Sequence, residues 1–294
     1  MEEIPTLPDD VLELGRRLIP RPAFLVGCAR SGTSILGEAL GSHADVDYIF
    51  EASPLWNALT PPRPDHRLRP ADIDAELATQ IYEQLALQAT DSSRAAPGTA
   101  TENATPPLWL EKNPKHVLRI LFLATLFPHA RFLHIIRDGR DATASLMFRN
   151  RGEQWGHLEI PGWRKLLERF PKANHIRCAT QWTEPVRTAR TDAQGLEPGR
   201  YCEVRYEELV REPEATLETA LGFLGLQPDD GTRGFVAKIQ DETRGSYHAR
   251  KQIRHFVDNH PRRIGRHTEN LTSAQLKDVL DVCGDLLREL GYMG

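Results

Sequence analysis

Residues 27–34, Gly-Cys-Ala-Arg-Ser-Gly-Thr-Ser, combine two glycines, three hydroxyl side chains and one cation in a short stretch. The apolar residues Phe24, Leu25 and Val26 before them are typical of a short buried strand, and residues 31–40 have helical spacing. A turn between a strand and a helix directs free backbone N–H groups and the positive end of the helix dipole at one point. The stretch therefore predicts a site that binds an anion.

The same stretch nearly matches the nucleotide-binding loop G-x-x-x-x-G-K-[ST]. Gly27 and Gly32 have the required separation, but Thr33 stands at the lysine position, and the cation is Arg30, before the second glycine. A kinase needs that lysine for its β- and γ-phosphates, so the expected anion is not a triphosphate. An ordinary turn with an incidental arginine is the structural alternative.

A second strand, turn and helix are predicted around Arg137. Residues 131–137 form a near-continuous apolar run, as in a parallel strand covered on both faces, and residues 138–141 lead directly into a helix through Arg149. Because Arg137 ends a buried strand, its charge needs a partner or a ligand. The sequence thus predicts two anion-binding turns, each between a strand and a helix, at residues 24–40 and 131–149. We call them the anion cradles.

Composition favours a globular protein with a substantial core, since 294 residues carry 40% hydrophobic and 27% charged side chains. The net charge of −4 argues against bulk nucleic-acid binding, so any anion site must be local. The four cysteines are scattered without a Cys-x-x-Cys pair, and we expect neither a disulfide framework nor a zinc site.

The first ten residues are acidic and proline-bearing, which does not match a secretory signal. The longest strongly apolar run, residues 120–127, is far shorter than the roughly 20 residues that span a bilayer. These two features predict a cytoplasmic protein without a membrane span.

Alternating strands and helices predict an α/β fold: one domain over residues 1–294, with a mostly parallel central sheet flanked by helices. The strands are predicted at residues 24–26, 46–49, 131–137 and 200–204, and residues 108–115 predict a strand that breaks into a loop. The helices are predicted at residues 11–18, 31–40, 72–88, 114–127, 142–149, 175–191, 213–224 and 273–290, the last with Thr272 as its N-cap. Residues 89–107 are poor in large apolar side chains and predict a mobile surface insertion. Residues 50–54 predict a turn, and residues 155–171 and 245–266 irregular segments.

Four motifs, in this order along the chain, resemble those of the sulfotransferases that use 3′-phosphoadenosine 5′-phosphosulfate (PAPS). Residues 27–34 resemble the 5′-phosphosulfate loop, and residues 136–145, Ile-Arg-Asp-Gly-Arg-Asp-Ala-Thr-Ala-Ser, resemble the 3′-phosphate motif. Residues 205–210, Arg-Tyr-Glu-Glu-Leu-Val, resemble the segment whose tyrosine lies by the nucleotide. Residues 263–266, Arg-Ile-Gly-Arg, resemble the C-terminal loop that closes over the 3′-phosphate.

The resemblance implies the sulfotransferase fold, which is related to that of the P-loop NTPases, with PAPS as co-substrate, adenosine 3′,5′-bisphosphate (PAP) as product, and no metal. It assigns the 5′ end of the donor to Arg30, Ser31, Gly32, Thr33 and Ser34. It assigns the 3′-phosphate to Arg137 and Ser145, and places Tyr206 beside the nucleotide. In the C-terminal loop it indicates Arg262, Arg263, Gly265 and Arg266 as residues of the 3′-phosphate site. It leaves open which of the arginines reaches the phosphate.

Within the family, the spacing is most similar to the protein-tyrosine sulfotransferases and their bacterial relatives. Those enzymes carry a glutamate base one strand and turn after the loop arginine, and Glu51 stands 21 positions after Arg30. The second catalytic cation of the family corresponds to Lys112. The structural alternative for Glu51 is a carboxylate that caps a helix or forms a salt bridge. Should Glu51 not be the base, His116 and His134 are the next candidates.

The expected reaction is sulfuryl transfer to a hydroxyl of a small molecule, carbohydrate or peptide, with no nucleic acid as partner and a homodimer left open. A nucleotide kinase and a non-catalytic nucleotide-binding relative are the alternatives. Arg63, Arg67 and Arg69 could line a basic groove for an acidic peptide, with solvated loop charges as the other interpretation. Trp155, Trp163 and Trp182 are predicted to pack in the core or in a lid, with the lining of an acceptor pocket as the alternative.

Overall fold

Five strands form the central sheet: β1 (Pro22–Val26), β2 (Val46–Phe50), β3 (Leu108–Lys112), β4 (Arg131–Ile136) and β5 (Tyr201–Arg205). Their order is β2-β3-β1-β4-β5, and all four neighbouring pairs are parallel. The computed structural model describes residues 6–60, 63–92, 105–149, 159–240 and 261–293. Within these residues the predicted α/β fold is confirmed, and the sheet is entirely parallel.

Helices cover both faces of this sheet. They are α1 (Asp9–Leu18), α2 (Thr33–Leu40), α3 (Ser53–Leu59), α4 (Ala75–Ser92), α5 (Ile120–Leu126), α6 (Gly139–Arg149), α7 (Trp163–Arg169), α8 (Asn174–Ala193), α9 (Tyr206–Arg211), α10 (Pro213–Leu224), α11 (Asp230–Gln240), α12 (His267–Asn270) and α13 (Ser273–Glu289). Short 3-10 helices lie at Pro70–Asp72, Pro114–Leu118 and Pro261–Arg263. The predicted N-cap of α13 is confirmed, because the Thr272 side chain accepts a hydrogen bond from Gln275 N in a capping box.

The central strand β1 is buried along its whole length, as its continuous apolar run predicts. Phe24 belongs to the core on one face of the sheet, where it stacks on Phe132, and Leu25 belongs to the core on the other face. Covered on both faces, the parallel strands end along one edge. The β2–β3 register pairs Phe50 with Lys112, and the β4–β5 register pairs Ile136 with Arg205. The residues that follow these strands therefore share that edge.

Most differences between the structure and the sequence prediction involve short helices. Helix α3 starts inside the predicted turn at residues 50–54, α7 lies in a stretch predicted to be irregular, and α9 and α11 lie where no helix is predicted. The helix predicted from Pro114 to Phe127 is divided at Arg119, whose backbone leaves the helical region at φ −134° and ψ 17°. Helices α3, α7 and α9 have six or seven residues, too few for a clear 3.6-residue period, whereas α11 has 11.

Some predicted features fall outside the described residues. They include residues 93–104 of the predicted insertion, Trp155, and residues 245–260 of the basic segment. The start of that insertion, residues 89–92, continues helix α4. Trp163 and Trp182 are buried, which confirms their predicted packing in the core. None of the helices in the described ranges is long and apolar enough to cross a membrane.

Candidate active site

The first glycine loop is held by close backbone packing. Gly32 is left-handed, with φ 97°, and a Cβ added there would lie 2.5 Å from Cδ2 of Tyr206. A Cβ on Gly27 would lie 2.6 Å from the carbonyl oxygen of Ile135. Neither position tolerates a side chain, so the loop lies tightly against β4 and α9. Between the glycines, Arg30 has φ 72°, a strained conformation for a residue with a side chain.

Hydrogen bonds join the two predicted anion cradles directly. Arg30 Nε donates to Ser145 Oγ on α6 at 3.0 Å, and Arg137 Nη1 donates to the Arg30 carbonyl oxygen at 3.1 Å. Arg137 is buried, and its guanidinium stacks 4.5 Å from the centre of the Tyr206 ring. Burial raises the pKa of Tyr206 to about 12, although Arg137 opposes the shift, so this hydroxyl stays protonated at neutral pH.

Among the buried polar atoms that make no hydrogen bond within the described part of the chain, two belong to residues that the resemblance assigns to the donor. They are Ser31 Oγ and Arg137 Nε. Buried polar groups in folded proteins are almost always paired, so unpaired ones at a predicted anion site fit groups that pair with a ligand. Thr33 and Ser34, the remaining loop residues, form the first turn of α2.

The C-terminal loop lies beside Arg137, as the resemblance implies. Arg137 Nη2 donates to the Arg263 carbonyl oxygen at 2.5 Å. Asp141, one turn further along α6, accepts hydrogen bonds from Gly265 N at 2.7 Å and from His267 N at 2.9 Å. The Arg266 side chain is 42% exposed and has a weak pairing with Glu269 at 3.9 Å.

Lys112 and Glu51 form an ion pair at the ends of β3 and β2, with Nζ 2.5 Å from Oε1. The Lys112 side chain is 1% exposed and that of Glu51 is 36% exposed, so the cation lies beneath an accessible carboxylate. Burial lowers the pKa of Lys112, and the adjacent Glu51 carboxylate is the largest opposing influence. Glu51 itself is left-handed at φ 48°, and its N–H donates to the Lys112 carbonyl oxygen at 2.8 Å.

A buried carboxylate next to Lys112 supports this pair. Glu111 accepts hydrogen bonds from Trp56 Nε1 at 2.8 and 3.0 Å and from His116 Nε2 at 3.1 Å. Trp56 lies on α3, the helix that begins two residues after Glu51, so these bonds fix α3 against β3. Sequence reasoning missed this role of Glu111, although a carboxylate in a buried strand is a signal that it needs partners.

The histidines considered as alternative bases are both fully buried. Burial lowers the pKa of His116 despite the adjacent Glu111, and burial lowers the pKa of His134 to about 3. His134 Nδ1 lies 2.5 Å from the Tyr201 hydroxyl, which donates to Glu203 at 2.9 Å. Neither imidazole shares the exposure of Glu51.

The proposed basic groove is partly occupied by ion pairs. Arg63 contacts the Asp72 carboxylate, and Arg67 Nη2 lies 3.0 Å from Asp192 Oδ1. These pairings show loop charges that are paired within the protein, which does not favour an acidic-peptide groove. Across the described ranges, no cluster of three or more His, Cys, Asp and Glu side chains is arranged to hold a metal ion.

A parallel α/β sheet that carries glycine-loop cradles at the carboxyl ends of its strands is the architecture of a nucleotide-binding protein. The model of the sulfotransferase family matches residues 22–230. The chain therefore belongs to the sulfotransferase family, which confirms the resemblance found in the sequence.

Relatives and solved structures agree with this membership. The chain is 27% identical over 218 residues to protein-tyrosine sulfotransferase 1 of Danio rerio, covering 70% of this chain and 54% of the relative. It is 28% identical over 154 residues to the omega-hydroxy-beta-dihydromenaquinone-9 sulfotransferase Stf3 of Mycobacterium bovis, covering 51% of this chain and 38% of the relative. It thus spans about half or less of the length of these curated relatives. The sulfotransferase domain of the Synechococcus PCC 7002 olefin synthase shares the fold, with a TM-score of 0.55, 17% identity and 97% coverage of both chains.

Proposed function

We propose that this protein transfers the sulfuryl group of PAPS to a hydroxyl of an acceptor, and that residues 1–294 form one sulfotransferase domain. The observation that carries the proposal is the Glu51–Lys112 ion pair, 2.5 Å long, at the same sheet edge as the two joined anion cradles. The two cradles match the two anionic ends of the donor. The base and the cation beside them match an acceptor hydroxyl that must lose its proton.

The residues present fit such a donor. The loop from Gly27 to Ser34 leaves no room for a Cβ at either glycine and offers the N-terminus of α2 to the 5′-phosphosulfate. Arg137 and Ser145 would hold the 3′-phosphate, with the unpaired Arg137 Nε among the donors. Tyr206 would contact the nucleotide through the ring that packs on Gly32.

The C-terminal loop would complete the 3′-phosphate site. Arg263 is the arginine we favour, because its carbonyl oxygen already meets Arg137 Nη2. Gly265, left-handed at φ 81°, turns the chain toward Asp141. Arg262 and Arg266 would contribute to the positive field around the phosphate.

Glu51 would act as the general base. As the acceptor oxygen forms its bond to sulfur, the bond from sulfur to the bridging phosphate oxygen breaks, and the hydroxyl proton moves to Glu51. Lys112 holds Oε1 of Glu51, while the exposed side of the carboxylate faces the solvent from which an acceptor arrives. Arg30 and Lys112 would stabilise the negative charge that spreads over the sulfuryl oxygens and the leaving phosphate, as in phosphoryl transfer. These residues supply the charge without a metal ion.

Both relatives named above transfer to hydroxyl groups, one on protein tyrosine and one on a hydroxylated menaquinone. The acceptor proposed here is accordingly a hydroxyl compound, with a peptide, a carbohydrate and a small molecule as the classes to compare.

Calorimetry tests the donor assignment. We expect PAP to bind at least about tenfold more tightly than ADP, the effect of one hydrogen bond to a charged group. A kinase would instead bind ADP with magnesium and not PAP. Turnover of sulfur-labelled PAPS against a panel of phenols, sugars, alcohols and peptides then tests the reaction. Tight ADP binding with no PAP binding would refute the proposed function.

A further inference from the structure

We propose that Asp141, together with His267, is a positioning pair that docks the segment Pro261–His267 beside Arg137 and so determines the preference for nucleotides with a 3′-phosphate. The inference rests on the proposed function, because it concerns the donor site described there. Asp141 does not itself contact the nucleotide in this proposal. It acts through the segment that it holds.

Both carboxylate oxygens of Asp141 accept hydrogen bonds from the segment, three in all. Its Oδ2 accepts from Gly265 N at 2.7 Å, and its Oδ1 accepts from both the backbone N–H of His267 at 2.9 Å and the imidazole Nδ1 at 2.7 Å. These partners lie 124 and 126 positions further along the chain. Asp141 is buried, and so is His267, so the contact is shielded from water.

The carboxylate form of Asp141 is what this arrangement requires, since all three partners donate to it. Burial alone would raise the pKa of Asp141, but the hydrogen bonds from His267 and Gly265 and the charge of Arg137 outweigh burial and lower it. An asparagine has the same shape but only one acceptor oxygen. Its NH₂ group would meet another donor, so the docking would lose at least one bond.

Asp141 lies one helical turn after Arg137, which also holds the segment. Arg137 Nη2 donates to the Arg263 carbonyl oxygen, and the Arg137 and Asp141 side chains approach each other to 3.9 Å. Arg137, the cation proposed for the 3′-phosphate, and Asp141, the carboxylate that holds the segment, therefore form one unit at the start of α6. A nucleotide with a 3′-phosphate meets this unit and the docked segment, whereas a nucleotide with only a 5′-phosphate meets the loop of residues 27–34.

The test is calorimetry with two nucleotides, PAP and adenosine 5′-monophosphate (AMP), on the full chain. For Asp141→Asn we expect PAP binding to weaken by about tenfold or more, the usual effect of losing a hydrogen bond to a charged group, while AMP binding stays unchanged. Asp138→Asn is the matched control. Its carboxylate lies in the same turn but binds the Arg140 guanidinium instead of the segment, and we expect it to keep the PAP-to-AMP affinity ratio.

His267 provides an independent pair of variants should Asp141→Asn fail to fold. His267→Ala removes the imidazole donor and should lower the PAP-to-AMP ratio, and His267→Asn places an amide donor near the Nδ1 position and should restore much of it. A rescue of this kind is not expected from a merely structural residue.

The outcomes separate the two proposals. Wild-type protein that binds PAP no better than AMP would refute the proposed donor and, with it, this inference. Wild-type protein that prefers PAP, with an unchanged ratio in Asp141→Asn and His267→Ala, would overturn the inference alone. An equal loss for both nucleotides would also overturn it, since the role would then be general stability.

Discussion

Lys112 and Glu51 meet because of strand register. The β2–β3 pairing places Phe50 opposite Lys112, so the Lys112 Nζ lies 3.8 Å above the Phe50 ring and 2.5 Å from the carboxylate of the next residue, Glu51. The left-handed backbone of Glu51 turns the chain away from the sheet into α3 while the side chain stays over the lysine. Backbone pairing thus fixes the distance between the proposed base and the proposed cation.

The first prediction is that Lys112 contributes more to the rate of turnover than to the affinity for the donor. Lys112→Met removes the charge and roughly keeps the volume, and we expect kcat to fall by about 10²–10³-fold, as when one electrostatic donor is lost from a transition state. PAP affinity should change little, because interactions made mainly in the transition state do not appear in ground-state binding. Steady-state kinetics and calorimetry on the same preparation measure the two effects.

Lys115→Met is the matched control for this experiment. Lys115 is a less buried lysine three positions further on, and its Nζ bonds Asn57 at 3.3 Å instead of Glu51. We expect a much smaller loss of kcat. Equal losses of turnover and PAP affinity in Lys112→Met would make Lys112 a binding residue.

The second prediction concerns the 3′-phosphate cradle. Arg137→Ala should weaken PAP binding by about 1.5–3 kcal/mol, the usual value of a hydrogen bond to a charged group. Ser145→Ala should have a smaller effect in the same direction, partly through Arg30, whose Nε donates to Ser145 Oγ. Calorimetry with PAP measures both, and Arg140→Ala, a neighbouring arginine paired with Asp138, is the control. Unchanged PAP affinity in Arg137→Ala would remove Arg137 from the site.

Local sequence patterns predicted the parts of this site that depend on one stretch of chain. The glycine loop, the apolar run of β4 and the position of Lys112 at the end of β3 are each encoded within about ten residues, and the structure places their residues at one sheet edge as expected. The contacts that position them are not local. Trp56 meets Glu111 across 55 positions, and Asp141 meets Gly265 across 124. No spacing rule links such residues, because only the register of the sheet and the packing of α3 and α6 bring them together.

The third prediction is a loss of stability in acid caused by His134. The folded protein holds this imidazole neutral down to a pKa of about 3, whereas in the unfolded chain it takes up a proton below about pH 6.5. The unfolded state therefore binds one more proton between these values, and the free energy of unfolding should fall as the pH falls through them, by about 1.4 kcal/mol per pH unit.

His134→Leu should lower that slope by the same amount in urea unfolding measured between pH 6 and pH 4. The substitution leaves the Tyr201 hydroxyl its bond to Glu203. Leu133→Ala, a neighbouring core variant without a titratable group, should lower the stability but leave the slope intact. A slope unchanged in His134→Leu would show that the imidazole titrates in the folded protein.

The last prediction tests Glu51 as the base. Glu51→Gln keeps the size of the side chain and an oxygen for Lys112, but an amide does not accept the acceptor's proton. Loss of general-base assistance typically costs 10²–10⁴-fold in rate. We therefore expect turnover to fall by at least about 100-fold while PAP affinity stays nearly constant, since Glu51 follows β2 and the donor cradles follow β1 and β4.

The pH–rate profile distinguishes this role from simple charge removal. The wild-type rate should decrease toward acid pH, and Glu51→Gln should lose that dependence, because no carboxylate is left to become protonated. Glu51→Asp, with a carboxylate one methylene shorter, should keep the acid limb at a reduced rate. If Glu51→Gln retains more than about a tenth of wild-type turnover, general-base catalysis does not pass through this residue. Because His116 and His134 are buried, the proton of the acceptor hydroxyl would then pass to solvent.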